Sequence, residues 1–190
     1  MIDRPTSRRA VLRGACALTA LAAVPPAAAA DPAGELRAQP GDLLVAFKND
    51  GGAGAIVNPA DVKRGPPSLV WPFDPAKKIV RNGSRLDLVL VMGFDPATLS
   101  ATERARAADG IVAYTAVCTH VACWVTDWLT SKQLLQCPCH QSQYDPRRGA
   151  AVVSGPAPRP LPALPLRLVD GRLEVKDHFT DRVGAAQPTG

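Results

Sequence analysis

The sequence predicts an all-β protein built from short antiparallel strands. Proline and glycine are frequent, with 19 and 15 residues in a chain of 190, while aromatic residues make up only 5%. This composition favours short strands joined by many turns. The clearest element is a hairpin over residues 166–175, in which apolar and polar side chains alternate around Asp170-Gly171. An Asp-Gly pair suits the two-residue turn of such a hairpin.

The remaining elements follow from local apolar patterns. Residues 49–78 are rich in glycine and proline, so they are predicted to form a long excursion without regular structure. Residues 95–108 have an acidic start and end near Gly110, which predicts the one helix. Short apolar stretches predict six further strands, at residues 43–47, 79–80, 86–93, 111–115, 134–136 and 151–153.

The first 30 residues have the composition of an export signal. Arg8 and Arg9 precede an apolar stretch at residues 14–24, which is followed by two prolines and a run of alanines. A charged start, a short apolar region and a small-residue end are typical of a signal peptide. The adjacent arginines favour the twin-arginine route.

Cleavage and retention of this segment are alternatives. Residues 14–30 number 17 and contain two prolines, whereas a membrane-spanning helix needs about 20 apolar residues. Their length favours cleavage near Ala30, and retention as an N-terminal membrane anchor is the alternative. We expect a location on the periplasmic side, soluble or anchored to the cytoplasmic membrane. Residues 31–41 are predicted to form a linker, and residues 185–190 a C-terminal tail.

The charge of the chain argues against nucleic acid as a partner. The net charge is +5 at pH 7, but the first 30 residues hold four arginines and one aspartate. Residues 31–190 therefore carry 18 basic and 16 acidic side chains, a net charge of +2. So small an excess is no nucleic-acid signature.

Cysteine and histidine concentrate in two short motifs. The first contains Cys118-Thr-His120, the second is Cys137-Pro-Cys-His140, and sixteen residues separate His120 from Cys137. Two thiolates and two imidazoles suit a [2Fe–2S] cluster with two His on one iron and two Cys on the other. Neutral imidazoles in place of two thiolates raise the reduction potential from about −400 mV to about −150 to +300 mV.

Zinc and disulfides are the competing interpretations. A structural zinc ion takes four ligands, but each motif holds one further cysteine, Cys123 or Cys139, which makes six candidates. Two disulfides would leave both histidines unexplained. A metal-stabilised binding module without a redox role is therefore the weaker hypothesis.

Residues from about 110 to 184 resemble the Rieske iron–sulfur proteins. The two motifs carry this resemblance together with a loop that is similar to the proline loop of cytochrome bc-type Rieske subunits, which covers the cluster. That loop consists of Gly155, Pro156, Ala157 and Pro158. The resemblance implies that Cys118 and Cys137 bind one iron, that His120 and His140 bind the other, and that Cys123 and Cys139 form a disulfide.

Two hydroxyl groups extend the resemblance. Ser142 and Tyr144 stand where high-potential members of the family have side chains that donate hydrogen bonds to the cluster and its ligand sulfur. Such donors stabilise the additional electron of the reduced state, so we expect a potential toward the top of the Rieske range. The chain departs from the family at Ala122 and Gln141, where glycine is usual.

The resemblance also implies a two-part fold. A Rieske domain over residues 42–184 would have a base of antiparallel strands. A small cluster-binding subdomain, at about residues 116–160, would be inserted into that base. The ligand histidines would then lie at the exposed tip of the insertion.

The implied function is electron transfer. The chain resembles the iron–sulfur subunit of a quinol:cytochrome c oxidoreductase, which takes an electron and a proton from quinol and passes the electron to a c-type cytochrome. Cytochrome b and c-type proteins would be its partners, and we expect a subunit rather than a stand-alone enzyme. The alternative is a soluble periplasmic Rieske carrier, or the small subunit of a molybdenum oxidoreductase such as arsenite oxidase. A Rieske oxygenase is excluded, because its second iron needs two more histidines and only His178 remains.

Overall fold

The computed structural model describes Met1 and residues 37–185 of the chain. Residues 2–36, which hold the predicted signal peptide except Met1 and most of the predicted linker, and residues 186–190 of the tail lie outside the described residues. Within the described part, no helix has the length and apolar character needed to cross a membrane.

The described residues form twelve short strands joined by turns and irregular segments. Strand pairing between the named strands is antiparallel throughout. The strands are β1 (Leu43–Phe47), β2 (Ala53–Ile56), β3 (Ser68–Asp74), β4 (Ile79–Val80), β5 (Val89–Gly93), β6 (Ile111–Thr115), β7 (Asp127–Leu129), β8 (Leu134–Gln136), β9 (Gln143–Asp145), β10 (Ala151–Ser154), β11 (Leu166–Val169) and β12 (Arg172–Val175), and the α-helix α1 spans Ala101–Arg106.

The strands form two sheets. The main sheet has the order β11-β12-β1-β3-β5-β6, with β2 paired to β1 and β4 paired to β3. The second sheet is the four-stranded meander β10-β9-β8-β7, which the chain inserts between β6 and β11. The predicted all-β fold, an antiparallel base with a small inserted subdomain, is confirmed.

Apolar side chains cover both faces of the main sheet. Successive side chains of a strand point to opposite faces, and in β5 both sets are buried. Leu90 and Met92 belong to a cluster that also holds Tyr144 of the second sheet. Val89 and Val91 belong to a second cluster, which includes residues of β11 and β12. The inserted subdomain therefore shares a core with one face of the base.

The predicted hairpin at residues 166–175 is confirmed as β11 and β12. Leu166 pairs with Val175 and Val169 pairs with Arg172. The two turn residues, Asp170 and Gly171, have φ angles of 48° and 72°. Positive φ at both central positions is what the preferred two-residue turn requires.

The prediction of an irregular excursion over residues 49–78 is wrong. This stretch contains β2, a 3₁₀ turn at Pro59–Asp61 and β3. Pro72 obscures β3 in the sequence, because proline cannot donate a hydrogen bond to a sheet. Along the same edge of β3, β5 pairs with residues 68–70 and β4 with residues 73–74. Pro72 lies between the two, and its carbonyl accepts a hydrogen bond from the Arg81 amide at 2.8 Å.

Two further elements are shorter than predicted, and two short strands were not predicted at all. The predicted helix at residues 95–108 is a 3₁₀ turn at Pro96–Thr98 followed by α1, since Leu99 and Ser100 interrupt it in extended conformations. The strand predicted at residues 86–93 begins only at Val89, after a 3₁₀ turn at Arg85–Asp87. The three-residue strands β7 and β9 were not predicted.

Candidate metal centre

The two Cys/His motifs form loops with the same backbone hydrogen bonds. In the first loop, residues 118–123, the Cys118 amide donates to the Cys123 carbonyl at 2.8 Å and the Ala122 amide donates to the Cys118 carbonyl at 3.0 Å. In the second loop, residues 137–142, the corresponding bonds run from Cys137 to Ser142 and from Gln141 to Cys137, both at 2.9 Å. Each loop is thus closed by two backbone hydrogen bonds. The amide of residue i donates to the carbonyl of residue i+5, and the amide of residue i+4 donates to the carbonyl of residue i.

Both loops turn through a left-handed residue at the same position. Ala122 has a φ of 61° and Gln141 a φ of 58°. These are the two positions at which the chain lacks the glycines usual in the Rieske family. The left-handed backbone is retained, although it is unfavourable by about 1–2 kcal/mol for a residue with a Cβ atom.

Glycine at either position is therefore expected to stabilise the fold. Ala122→Gly and Gln141→Gly should each raise the free energy of unfolding by about 1 kcal/mol, because glycine adopts positive φ without strain. Denaturant melts would measure this change. Ala151→Gly in β10 is the control and should instead destabilise by about 0.5–1 kcal/mol. An equal loss of stability in all three variants would contradict the strain at the loops.

The four cysteines of the described residues fall into two classes. Cys123 and Cys139 form the predicted disulfide, which joins the two loops with a Cα–Cα distance of 6.5 Å. Cys118 and Cys137 are not disulfide-bonded, and both are buried. The Sγ atoms of Cys123, Cys137 and Cys139 lie within 4.8 Å of one another. Since two of these sulfurs are bonded to each other, they cannot act as a set of three thiolate ligands.

The two histidines of the loops lie against each other. Their ring centroids are 4.7 Å apart, and the ring planes meet at 86°. Nδ1 of His120 is buried and has no hydrogen-bond partner among the described residues. A buried polar atom without a partner lowers the stability of the fold, unless its lone pair binds a metal ion or accepts a hydrogen bond from another group. His140 is exposed, whereas His120 is half-buried.

The first free cysteine contacts a buried tyrosine. The Tyr144 hydroxyl lies 3.1 Å from Cys118 Sγ, and Tyr144 has no exposed surface. Burial raises the pKa of Tyr144, the Cys118 sulfur adds to the rise, and hydrogen bonding from Thr119 opposes it. The phenol therefore remains neutral at physiological pH and keeps a proton that it can donate to the sulfur.

The second free cysteine also has a perturbed pKa. Burial raises the pKa of the Cys137 thiol, while hydrogen bonds from the backbone amides of Cys139 and His140 lower it. Amides that donate to a sulfur favour its anionic form. The second loop therefore supplies backbone donors to its cysteine.

The Gly155–Pro158 loop, hereafter the proline loop, packs directly on the second Cys/His loop. The Ala157 amide donates to Ser142 Oγ at 3.1 Å, which leaves the hydroxyl proton of the buried Ser142 free to point elsewhere. A Cβ atom at Gly155 would lie 2.5 Å from Ser142 Cα and 3.0 Å from the Gln141 carbonyl oxygen. Gly155 also has a φ of 91°. Only glycine permits this approach.

Sequence reasoning missed two residues at the site. Thr119 is fully buried, and its hydroxyl donates to the Arg159 carbonyl at 2.7 Å. The only signal for Thr119 in the sequence was its position between Cys118 and His120. Nothing in the sequence indicated Arg159, because its contacts lie 22 to 40 residues away. His178 is exposed and takes no part in the loops.

The donor set suits an iron–sulfur cluster. Two buried thiols and two adjacent imidazoles are the ligand types of a [2Fe–2S] centre with mixed Cys and His ligation. The unpartnered Nδ1 of His120 is a nitrogen that such a cluster would satisfy. The residues present therefore fit the group.

Comparison with known proteins agrees with this chemistry. Residues 81–165 match the family described as the Rieske [2Fe-2S] domain. A cytochrome bc1 complex Rieske iron-sulfur subunit of Streptomyces lividans is 43% identical over 79 residues, which cover 41% of this chain and 46% of the relative. A protein of Haloferax mediterranei, named as a respiratory nitrate reductase Rieske subunit, is 38% identical over 97 residues, covering 50% of this chain and 43% of the relative. The chain spans less than half the length of these relatives.

A solved structure gives a weaker match. The plasma membrane Rieske protein of the cyanobacterium Synechocystis PCC 6803 is 25% identical, with 57% of this chain and 85% of that chain covered and a TM-score of 0.37. A score at this level supports no conclusion about function. The sequence matches and the mixed Cys and His donors together establish that residues 81–165 are a Rieske domain, whose cofactor is a [2Fe–2S] cluster.

Proposed function

We propose that this chain is a high-potential Rieske electron-transfer protein in which Cys118, Cys137, His120 and His140 hold the cluster. The observation that carries the proposal is the placement of four donors on two matched loops. The two thiols are buried and unbonded, and the imidazole rings are in contact. When bound, the cluster takes up one electron and releases it again.

Zinc fits this site less well. A zinc ion needs thiolates and imidazoles as ligands, so it would use the same four residues. It would give no role to the Tyr144 hydroxyl beside Cys118 Sγ or to the Ser142 hydroxyl held by the proline loop. Both hydroxyls have a clear role beside a cluster, because donors to sulfur stabilise its reduced form.

Tyr144 is expected to raise the reduction potential. Replacement by phenylalanine removes one donor to Cys118 Sγ, which lies at 3.1 Å, and leaves the ring in the core. A hydrogen bond of about 1–1.5 kcal/mol corresponds to about 40–60 mV for a one-electron couple. Tyr144→Phe should therefore retain the cluster and lower its midpoint by this amount in a redox titration. A midpoint equal to that of the wild type would show that the hydroxyl does not act on the cluster.

His140 is the candidate contact for the electron donor. It is the more exposed of the two histidines, and Val121 and Pro138 of the two loops and Pro156 of the proline loop are exposed as well. An imidazole can accept a hydrogen bond and a proton from a hydroxyl group. The exposed ring and its apolar surroundings would suit a quinol, so we propose quinol as the donor and a c-type cytochrome as the acceptor.

This assignment can be tested by rapid mixing. Oxidised protein would be mixed with decylubiquinol, and reduced protein with mitochondrial cytochrome c, while the visible absorbance of the cluster is followed. Reduction by the quinol followed by oxidation by the cytochrome is the expected result. A protein that equilibrates with the electrode but reacts with neither probe would contradict this donor and acceptor.

A role beside a molybdenum enzyme is the second candidate. The relative named as a respiratory nitrate reductase Rieske subunit favours it, because that protein too is named as the subunit of an oxidoreductase. Purification from the native host distinguishes the two, since a cytochrome b would accompany the protein in the first case and a molybdenum subunit in the second. We propose export to the periplasmic side in both cases. The intact mass of the purified protein would report whether residues 1–30 have been removed.

A further inference from the structure

The Arg159 side chain holds the C-terminal segment, residues 181–184, against the site. We propose that Arg159 is a positioning residue of the cluster site. It connects the end of the proline loop both to the first Cys/His loop and to this segment. The proposal rests on the proposed function, since it concerns the potential and lifetime of the same cluster.

The guanidinium of Arg159 makes three contacts with the C-terminal segment. Nη2 donates to the carbonyl oxygens of Arg182 at 2.7 Å and of Gly184 at 2.6 Å. Nη1 donates to a carboxylate oxygen of Asp181 at 3.2 Å. The Arg159 side chain is 21% exposed, so most of it is enclosed by these partners. Planar, multiple contacts of this kind are geometrically specific, and lysine reproduces them poorly.

The backbone of Arg159 contacts the first Cys/His loop. Its carbonyl accepts a hydrogen bond from Thr119 Oγ1 at 2.7 Å, and Thr119 stands between two proposed ligands of the cluster. Thr119 is fully buried and directly follows Cys118, whose sulfur contacts the Tyr144 hydroxyl. The position of Arg159 is therefore linked to the position of that hydroxyl through one side chain.

The C-terminal segment closes the arrangement from the other side. Gly184 is buried, and a Cβ atom there would lie 3.8 Å from Val117 Cγ1 and 4.0 Å from Ala122 Cβ. The segment thus packs on the first Cys/His loop while Arg159 holds its carbonyls. Just before it, Thr180 is paired with Ala163 through two hydrogen bonds of 2.9 Å. The segment is therefore anchored at both ends.

The effect extends to the second loop through the proline loop. Ala157, two residues before Arg159, donates its amide to Ser142 Oγ. Loosening Arg159 frees the proline loop, so the bond that orients the Ser142 hydroxyl is weakened together with the Thr119 contact. Both changes loosen the backbone around the two hydroxyl donors of the site, Ser142 and Tyr144, and less well ordered donors mean a lower potential. Residues 181–184 also lie outside the part of the chain that matches the Rieske domain family.

Two variants of Arg159 in the full chain test the proposal. Arg159→Ala removes the contacts and the charge, whereas Arg159→Lys keeps the charge and removes the planar fork. We expect a lower midpoint potential in both variants, together with an about tenfold faster loss of cluster absorbance on warming in Arg159→Ala. Arg167→Ala is the matched control, because Arg167 pairs with Glu174 on the β11–β12 hairpin and should leave both quantities unchanged.

The outcomes separate positioning from charge and from general stability. An unchanged or raised potential in Arg159→Ala would overturn the proposal, as would a lysine variant with the wild-type potential, because charge alone would then explain the alanine result. Failure of Arg159→Ala to retain a cluster supports the proposal if Arg159→Lys retains one at lower potential. If the wild-type protein itself holds no redox-active cluster, it is the proposed function that fails.

Discussion

Replacement of His140 by alanine is expected to abolish the cluster. The imidazole of His140 lies against that of His120, with ring centroids 4.7 Å apart, and alanine offers no ligand atom in its place. Purified His140→Ala protein should lack both the visible absorbance and the electron paramagnetic resonance signal that a reduced mixed-ligand cluster gives. The loss should be complete, because an iron that keeps only one protein ligand is not held.

The third histidine of the chain provides the control for this experiment. His178 is exposed and lies outside both Cys/His loops, so His178→Ala should retain the full signal and the wild-type iron content. An intact signal in His140→Ala would remove His140 from the ligand set and contradict the proposed site. Loss of signal in both variants would point instead to general instability.

Gly155→Ala is expected to have the second-largest effect. A Cβ atom at this position would lie 2.5 Å from Ser142 Cα and 2.9 Å from the Ser142 amide nitrogen, and backbone atoms cannot yield as a side chain does. The positive φ of 91° adds its own strain. Overpacking of about 1–3 kcal/mol and a left-handed conformation of about 1–2 kcal/mol together predict a loss of about 2–5 kcal/mol in the free energy of unfolding. Denaturant melts would measure it.

Gly171 separates the two contributions in that variant. It has a similar positive φ, 72°, but no atom lies within 4 Å of the place its Cβ would take. Gly171→Ala should therefore cost only the conformational part, about 1–2 kcal/mol. Equal losses in the two variants would show that the proline loop does not press on the second Cys/His loop. Gly155→Ala should additionally lower the midpoint potential, because it moves Ser142.

The site was more predictable from the sequence than the fold around it. Ligand chemistry depends on residue type and local spacing, and both are visible in Cys118-Thr-His120 and Cys137-Pro-Cys-His140. The Cys123–Cys139 disulfide and the Tyr144 contact with Cys118 also involve residues of these motifs or their immediate continuation. The two motifs carry the resemblance to the Rieske family, and that resemblance implied both the disulfide and the role of Tyr144.

Parts of the fold and the site depend on contacts between distant residues. Strand β3 was missed because Pro72 argues against a strand, and only pairing with β1 on one side and with β4 and β5 on the other supports it. Strands of three residues, such as β7 and β9, are too short to show a period of two. Arg159 looks like one polar residue in a proline-rich stretch, and its role appears only when residues 181–184 are brought beside it.

The left-handed residues of the loops show a second limit of prediction from the sequence. Ala122 and Gln141 stand where glycine is usual in the Rieske family, and the sequence alone could not say whether the turns keep their shape. Both residues adopt the positive φ of a glycine turn, since the loop hydrogen bonds and the disulfide hold them there. Local propensity is overridden by the closure of each loop.

The central claim is that two sulfurs and two nitrogens of this chain hold a redox-active [2Fe–2S] cluster. Electron paramagnetic resonance of the dithionite-reduced wild-type protein, combined with iron and acid-labile sulfide determination on the same sample, tests it most directly. We expect two irons and two sulfides per chain and a Rieske-type signal that disappears on oxidation at positive potential. Protein that contains zinc, no labile sulfide and no signal after reduction would contradict it.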